Sequence, residues 1–129
     1  MVTKQKTREL VLGWIEAVNS GDIKLIDQAA DRFFTNDYVW HFPAVHDFPL
    51  GPACAKRLFR QVLGESPEFR STLEELFVEG DRVASRCTMH RKDPTTGKPQ
   101  HGTEIALSRF VGDKVAEEWE LIGPWEDDA

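Results

Sequence analysis

The sequence predicts an α+β domain, with helices first and an antiparallel sheet after them. Three observations carry this reading. Apolar residues recur at helical spacing up to about residue 64, the pattern alternates from residue 69 onward, and turn residues separate the alternating runs.

Leu10, Val11, Trp14, Ile15 and Val18 form the stripe of a first helix, which Asn19-Ser20-Gly21 stops. Asp22 caps a second helix through Ile23, Ile26, Ala29 and Ala30. Tyr38 to Phe42, aromatic or β-branched apart from His41, reads as a short strand ending at Pro43. Pro43, Pro49 and Gly51 mark 43–51 as a loop. Pro52 opens a third helix with Ala55, Leu58, Phe59 and Val62 as its apolar face and Gly64 at its end. Residues 69–79, 82–90, 101–110 and 115–122 read as four strands. Glu79-Gly80-Asp81 and Gly112-Asp113-Lys114 are tight turns, and 93–99 is a longer hairpin loop. The acidic tail, Glu126-Asp127-Asp128, is expected to fray, leaving one domain over 1–129 ordered from about residue 5 to 123.

The chain has 129 residues, 40% hydrophobic and 29% charged, enough for one buried core and unlike a disordered segment. Its net charge of −6 lacks the positive field that nucleic acid or an anionic membrane requires. Cys54 and Cys87 lack metal-site or disulfide-scaffold spacing and read as buried free thiols. With no apolar leader or membrane-length run, a reduced, cytoplasmic location is expected.

Pleating sorts the last strands into two faces. Centring the final hairpin on Asp113 opposes Leu107 to Trp119, Ile105 to Leu121 and Arg109 to Glu117. The other face carries Glu104, Ala106, Ser108, Ala116, Glu118, Glu120 and Ile122. A longer hairpin symmetric about Thr95 and Thr96 continues it through Val83, Ser85, Cys87 and Met89. Small residues with a few acids suit a ligand pocket. Alternation alone also allows the reverse, in which the glutamates face water and Leu107, Trp119 and Leu121 make the core.

Several segments, taken in order, resemble one family. Trp14-Ile15-Glu16-Ala17-Val18-Asn19-Ser20-Gly21-Asp22, Tyr38-Val39-Trp40-His41-Phe42-Pro43, Glu79-Gly80-Asp81-Arg82-Val83-Ala84, and Arg109-Phe110 with Gly112 to Glu120 resemble the SnoaL-like polyketide cyclases. These belong to the nuclear transport factor 2-like superfamily, and the resemblance covers about residues 7–122. It implies a cone of three helices cupped on a strongly curved sheet around a pocket, usually in a dimer. It also implies aldol ring closure without metal or organic cofactor. The family's acid/base carboxylate follows the tryptophan on the last strand, which here makes it Glu120.

Departures from the family pattern narrow the chemistry. The second polar residue, fourteen positions earlier, is here Ala106, which can neither hold a proton nor polarise a carbonyl; Glu104 on the same face is the candidate substitute. Steroid isomerases of the superfamily need a tyrosine and an aspartate where this chain has Trp14 and Phe42. Limonene-type epoxide hydrolases need an Arg-x-Asp pair where it has Glu104-Ile105-Ala106.

The candidate catalytic residues are therefore Glu120, Glu104 and His41, the last to orient Glu120 or donate to a ligand oxygen. Trp14, Tyr38, Trp40, Phe42, Cys87, Ala106, Ser108 and Glu118 are the candidate pocket walls. His46-Asp47 and a facing His90–His101 pair are weaker candidates, and no metal site is expected. The first reading is cofactor-free acid/base catalysis, cyclase- or isomerase-like, on a small hydrophobic or polycyclic oxygenated ligand, with an epoxide hydrolase-like reaction ranked lower. The alternatives are a ligand-binding protein without turnover and a dimerising module using the Leu107–Trp119 face.

Overall fold

The computed structural model describes residues 2–129. Helix α1 spans Lys4–Asn19, and the side chain of Thr3 accepts from the Lys6 amide at 3.0 Å to cap it. Asn19 does more than end the helix. Its amide donates to the Ser71 carbonyl and accepts from the Ser71 amide, both at 2.8 Å, so a side chain imitates a strand pairing and ties the helix end to the sheet. Asp22 caps α2, Ile23–Phe33, through the Lys24 amide at 2.9 Å.

Strand β1 occupies Phe34–His41, starting earlier than residue 38. Asn36 and Asp37 are poor strand formers in sequence. Pairing decides the matter, because Phe34 sits opposite Val115 in parallel register, with an irregularity before Val39. After the 43–51 loop come α3, Pro52–Glu65, then β2, Arg70–Glu79, β3, Arg82–Lys92, β4, Pro99–Val111, and β5, Lys114–Ile122. The sheet order is β1-β5-β4-β3-β2, antiparallel except for β1 with β5, and the sheet is not closed.

The two hairpin registers are those read from the sequence. Leu107 opposes Trp119, Arg109 opposes Glu117 and His90 opposes His101. The tail departs from expectation. A short strand β6, Glu126–Asp127, pairs with Gln100 and His101 of β4. His101 Nδ1 stands 2.7 Å from Asp128, and the Arg91 guanidinium lies 4.2 Å over the Trp125 ring, so the tail is docked by contacts that composition does not reveal.

The helices cover one face of the sheet. Their shared core joins Ala30 and Phe33 of α2, Phe34 and Tyr38 of β1, Cys54 and Ala55 of α3, and Val83, Phe110 and Val115. Gly51 sets how the loop meets this core. Its φ is +75°, its amide donates to the Tyr38 carbonyl at 2.9 Å, and a Cβ there would lie 2.5 Å from the Asn36 carbonyl oxygen. Gly51→Ala is therefore expected to cost about 2 kcal/mol or more, from left-handed strain and backbone overlap together. A urea-denaturation midpoint equal to the parent's would refute this packing.

Candidate functional site

Between helices and sheet lies a cavity of about 110 Å³. Strand parity builds its floor. Before the irregularity at Arg109 and Phe110, even-numbered residues of β4 and their even-numbered partners on β5 face inward, bringing Glu104, Ala106, Ser108, Glu118 and Glu120 together, with Val83, Ser85 and Cys87 of β3 beside them. The small residues matter as much as the acids, since Ala106, Ser108 and Ser85 leave the volume open. The helices supply an apolar roof that includes Val11, Trp14, Leu58 and Phe59. Trp14 is both core and wall: it stacks on Phe33 at 5.7 Å and meets Phe34 and Phe59 edge-on.

The alternation question is thus answered by exposure. Ile105, at 55%, and Leu121, at 62%, stand on the outer face with Leu107 and Trp119, while the glutamates have the cavity in front of them.

Glu118 is held by two donors: the Tyr38 hydroxyl at 3.2 Å and the Ser108 hydroxyl at 2.7 Å. Burial still raises its carboxyl above the ordinary value, and the two donors only partly offset this. Glu104 lies diagonally across the ladder from Glu120, whose direct partner is Ala106. The two carboxyls are hydrogen-bonded to each other. Burial, Glu104 and Glu118 hold Glu120 well above the carboxylate range, and the Trp40 indole N–H, donating to it, works the other way. Burial and Glu118 raise Glu104 from 4.5 to about 7, opposed by hydrogen bonds from Glu120 and the Cys87 thiol. None of the described residues lining the cavity is basic, so no built-in cation neutralises these acids. They share protons instead. Burial first, and then the glutamates, push the Cys54 and Cys87 thiols up to about 11, so both are protonated and unreactive at neutral pH. Tyr38 is raised well above its ordinary value by burial and Glu118, and serves as a neutral donor.

Two of the residues expected at the site are elsewhere. With Tyr38 and Trp40 facing inward, pleating turns His41 out. Its Nε2 is 2.8 Å from Glu117, and its ring stacks on Trp119 at 5.1 Å. His41 cannot orient Glu120 from there. Phe42 follows the strand and stacks on Trp40 at 5.1 Å, outside this cavity. The remaining candidates, Trp14, Tyr38, Trp40, Cys87, Ala106, Ser108, Glu104, Glu118 and Glu120, all line it. The sequence reading missed Cys54, Phe33, Phe34, Phe69 and Ser71. Cys54 sits one residue before Ala55 on the helical face already identified, which was the available signal. His101 is engaged by Asp128 and Glu126, and Asp47 by Arg57, all near the surface.

Comparison with known proteins agrees with this geometry. The protein resembles IdmH from Streptomyces antibioticus, at 23% identity over 90% of this chain and 91% of that one, with a TM-score of 0.75. It resembles TsrD from Streptomyces laurentii, at 20% identity over 95% and 91%, with a TM-score of 0.80. A SnoaL-like polyketide cyclase from Agrobacterium tumefaciens is 15% identical over 95% and 93%, with a TM-score of 0.77. At these identities the likeness is one of fold. Among curated proteins none matches by sequence. The sequence profile described as "SnoaL-like domain" matches residues 11–118, from the roof of the cavity in α1 to Glu118 on its floor, and the chain therefore belongs to the SnoaL-like domain family.

Proposed function

We propose that this protein binds a small, largely apolar molecule bearing a carbonyl oxygen and catalyses its enolisation, as the first step of an aldol closure or an isomerisation, without a cofactor. The observation that supports the reading is the Glu104–Glu120 pair, two carboxyls diagonal on the ladder, both raised above the carboxylate range by burial in an aromatic-walled cavity. Such a pair supplies a base and an acid together. Glu104 as carboxylate takes the proton from the carbon beside the carbonyl, while Glu120 gives its proton to the carbonyl oxygen. In ring closure the enol carbon bonds to a second carbonyl carbon. Glu120 takes back the enol proton and Glu104 protonates the new alkoxide, which restores the pair. In isomerisation of an unsaturated ketone Glu104 returns its proton at a different carbon of the dienol while Glu120 takes back the proton from the enol oxygen, which again restores the pair. Glu104 thereby stands in for the polar residue that Ala106 lacks. Acids without a basic neighbour also disfavour anionic ligands.

The test uses acetophenone, a single-ring ketone with exchangeable α-protons. Its α-protons are expected to exchange in D2O, followed by NMR, faster with the protein than in buffer alone. Binding without accelerated exchange would favour the second reading, a non-catalytic ligand-binding protein, to which the missing polar group at Ala106 lends support.

We also infer a cytoplasmic homodimer. The outer sheet face exposes Phe77, Ile105, Leu107, Trp119 and Leu121, a broad apolar surface for a monomer. Arg82, Arg86 and Arg109 lie beside Glu75 and Glu117 on the same face, so a two-fold pairing can set unlike charges against each other. Trp119→Glu is expected to give a monomer by light scattering, and a dimer unchanged by that substitution would remove this face from the interface.

A further inference from the structure

A second cavity of about 370 Å³ adjoins the first, and Trp40 and Cys54 belong to the walls of both. Its other walls include Val39, Phe42, Val45, Phe48 and Leu50. It is built, not a gap under a loose loop. The Phe42–Val45 bridge, the Gly51 amide on the Tyr38 carbonyl and the Arg57 guanidinium, which donates to the Asp47 carbonyl at 2.9 Å and lies 4.6 Å over Phe48, hold the loop to β1 and α3. Trp40 is the partition. It stacks on Phe42 and meets Phe48 edge-on at 5.1 Å.

Size decides what this arrangement takes. An engineered cavity of roughly 150 Å³ holds benzene, and sites for drug-sized ligands start near 300 Å³. At about 110 Å³ the inner cavity alone has room for no more than one ring. The outer chamber has the volume for more, and its walls are mostly aromatic and aliphatic, with His41 and His46 as their polar members.

We infer that the outer chamber is a second subsite, taking an uncharged apolar arm of the ligand whose carbonyl-bearing ring sits in the inner cavity beside Glu104 and Glu120. The ligand class is thus a two-part molecule, a compact ketone head joined to an aryl or alicyclic arm that passes Trp40. This rests on the inner cavity being the carbonyl site. It also gives Phe42 a role as a wall of the arm subsite, in place of the one expected for it in the main pocket.

The experiment compares acetophenone with 4-acetylbiphenyl, which adds one ring, by equilibrium dialysis. The parent is expected to bind the biphenyl ketone at least about tenfold more tightly, from burial of the second ring. Val45→Trp, which fills the outer chamber, is expected to bring that ratio close to one, and Leu50→Trp, as a second filling variant, to lower it as well. Thermal unfolding checks that both variants fold. A ratio near one in the parent, a ratio unaffected by both variants, or no binding of either ketone overturns the inference. Proton exchange separates the two claims. Exchange that persists while the filling variants change nothing removes the subsite alone; a ratio that collapses on filling, with no exchange in the parent, removes the catalysis alone.

Discussion

Glu120→Gln is expected to fold like the parent and to exchange the α-protons of acetophenone at least about a hundredfold more slowly. The amide keeps the shape of the side chain and a hydrogen bond to Glu104, but it cannot deliver a proton to a carbonyl oxygen. General acid–base groups contribute roughly 10²- to 10⁴-fold, and loss of the acid from a two-carboxyl device falls within that range. Trp40 is held by Phe42 and Phe48, which the substitution does not touch, so the partition between the two cavities should hold. Acetophenone affinity, measured by dialysis, is expected to change much less than the exchange rate, because the substitution removes proton transfer and not volume. A variant exchanging at the parental rate would exclude Glu120 as the acid.

Glu104→Gln is expected to stabilise the fold, and only above acid pH. In the folded chain the Glu104 carboxyl is raised from 4.5 to about 7, by burial and by Glu118. The folded state therefore holds a proton that the unfolded state has lost, and stability falls as pH rises between those two values. The contribution is intact below about 4.5 and lost above about 7. At about 1.4 kcal/mol per unit, the parent gives up roughly 3 kcal/mol across that window. An uncharged Gln removes the penalty. Urea midpoints should coincide near pH 4 and favour the variant by a few kcal/mol near pH 8. Removing the neighbour also lowers the cost of ionising Glu120. A variant less stable than the parent at both pH values would mean that Glu104 contributes through packing and not through its proton.

Proton exchange should disappear in the same variant, which is thus more stable and less active. Both effects have one origin. Three acids buried without a basic residue are unfavourable for folding, and the same burial brings a carboxyl into the range where it acts as a base at neutral pH.

Much of the site could be read from the chain because pleating is a strict rule. Once Leu107 is set opposite Trp119, the positions of Ala106, Ser108, Glu118 and Glu120 on the other face follow. What alternation could not say was which face the helices cover, since Ile105, Leu107 and Leu121 look like core. The same rule, applied to β1, turns His41 outward once Tyr38 faces in. The start of β1 at Phe34 was not legible, because Asn36 and Asp37 are poor strand formers and the register with β5 is irregular between Phe34 and Val39. On β2 the register shifts between Leu73 and Glu75, so simple alternation could not place Ser71 at the cavity or Phe77 outside it. The tail was misread for a related reason. Its acidic composition suggests fraying, while Trp125 on Arg91 and Asp128 on His101 dock it through contacts distant in sequence. The link between Glu104 and Glu120 depends on diagonal reach across the ladder, and side-chain geometry of that kind lies beyond any sequence pattern.

The most direct test of the shared-proton pair is a ¹³C NMR titration of the glutamate side-chain carboxyls in the parent and in Glu104→Gln. The account expects one parental carboxyl to titrate near 7 and a second to stay protonated well above the ordinary range, and it expects the variant to lose one of these two raised steps while the remaining one moves down from its parental position. Glutamates that all titrate between about 4 and 5 would contradict it.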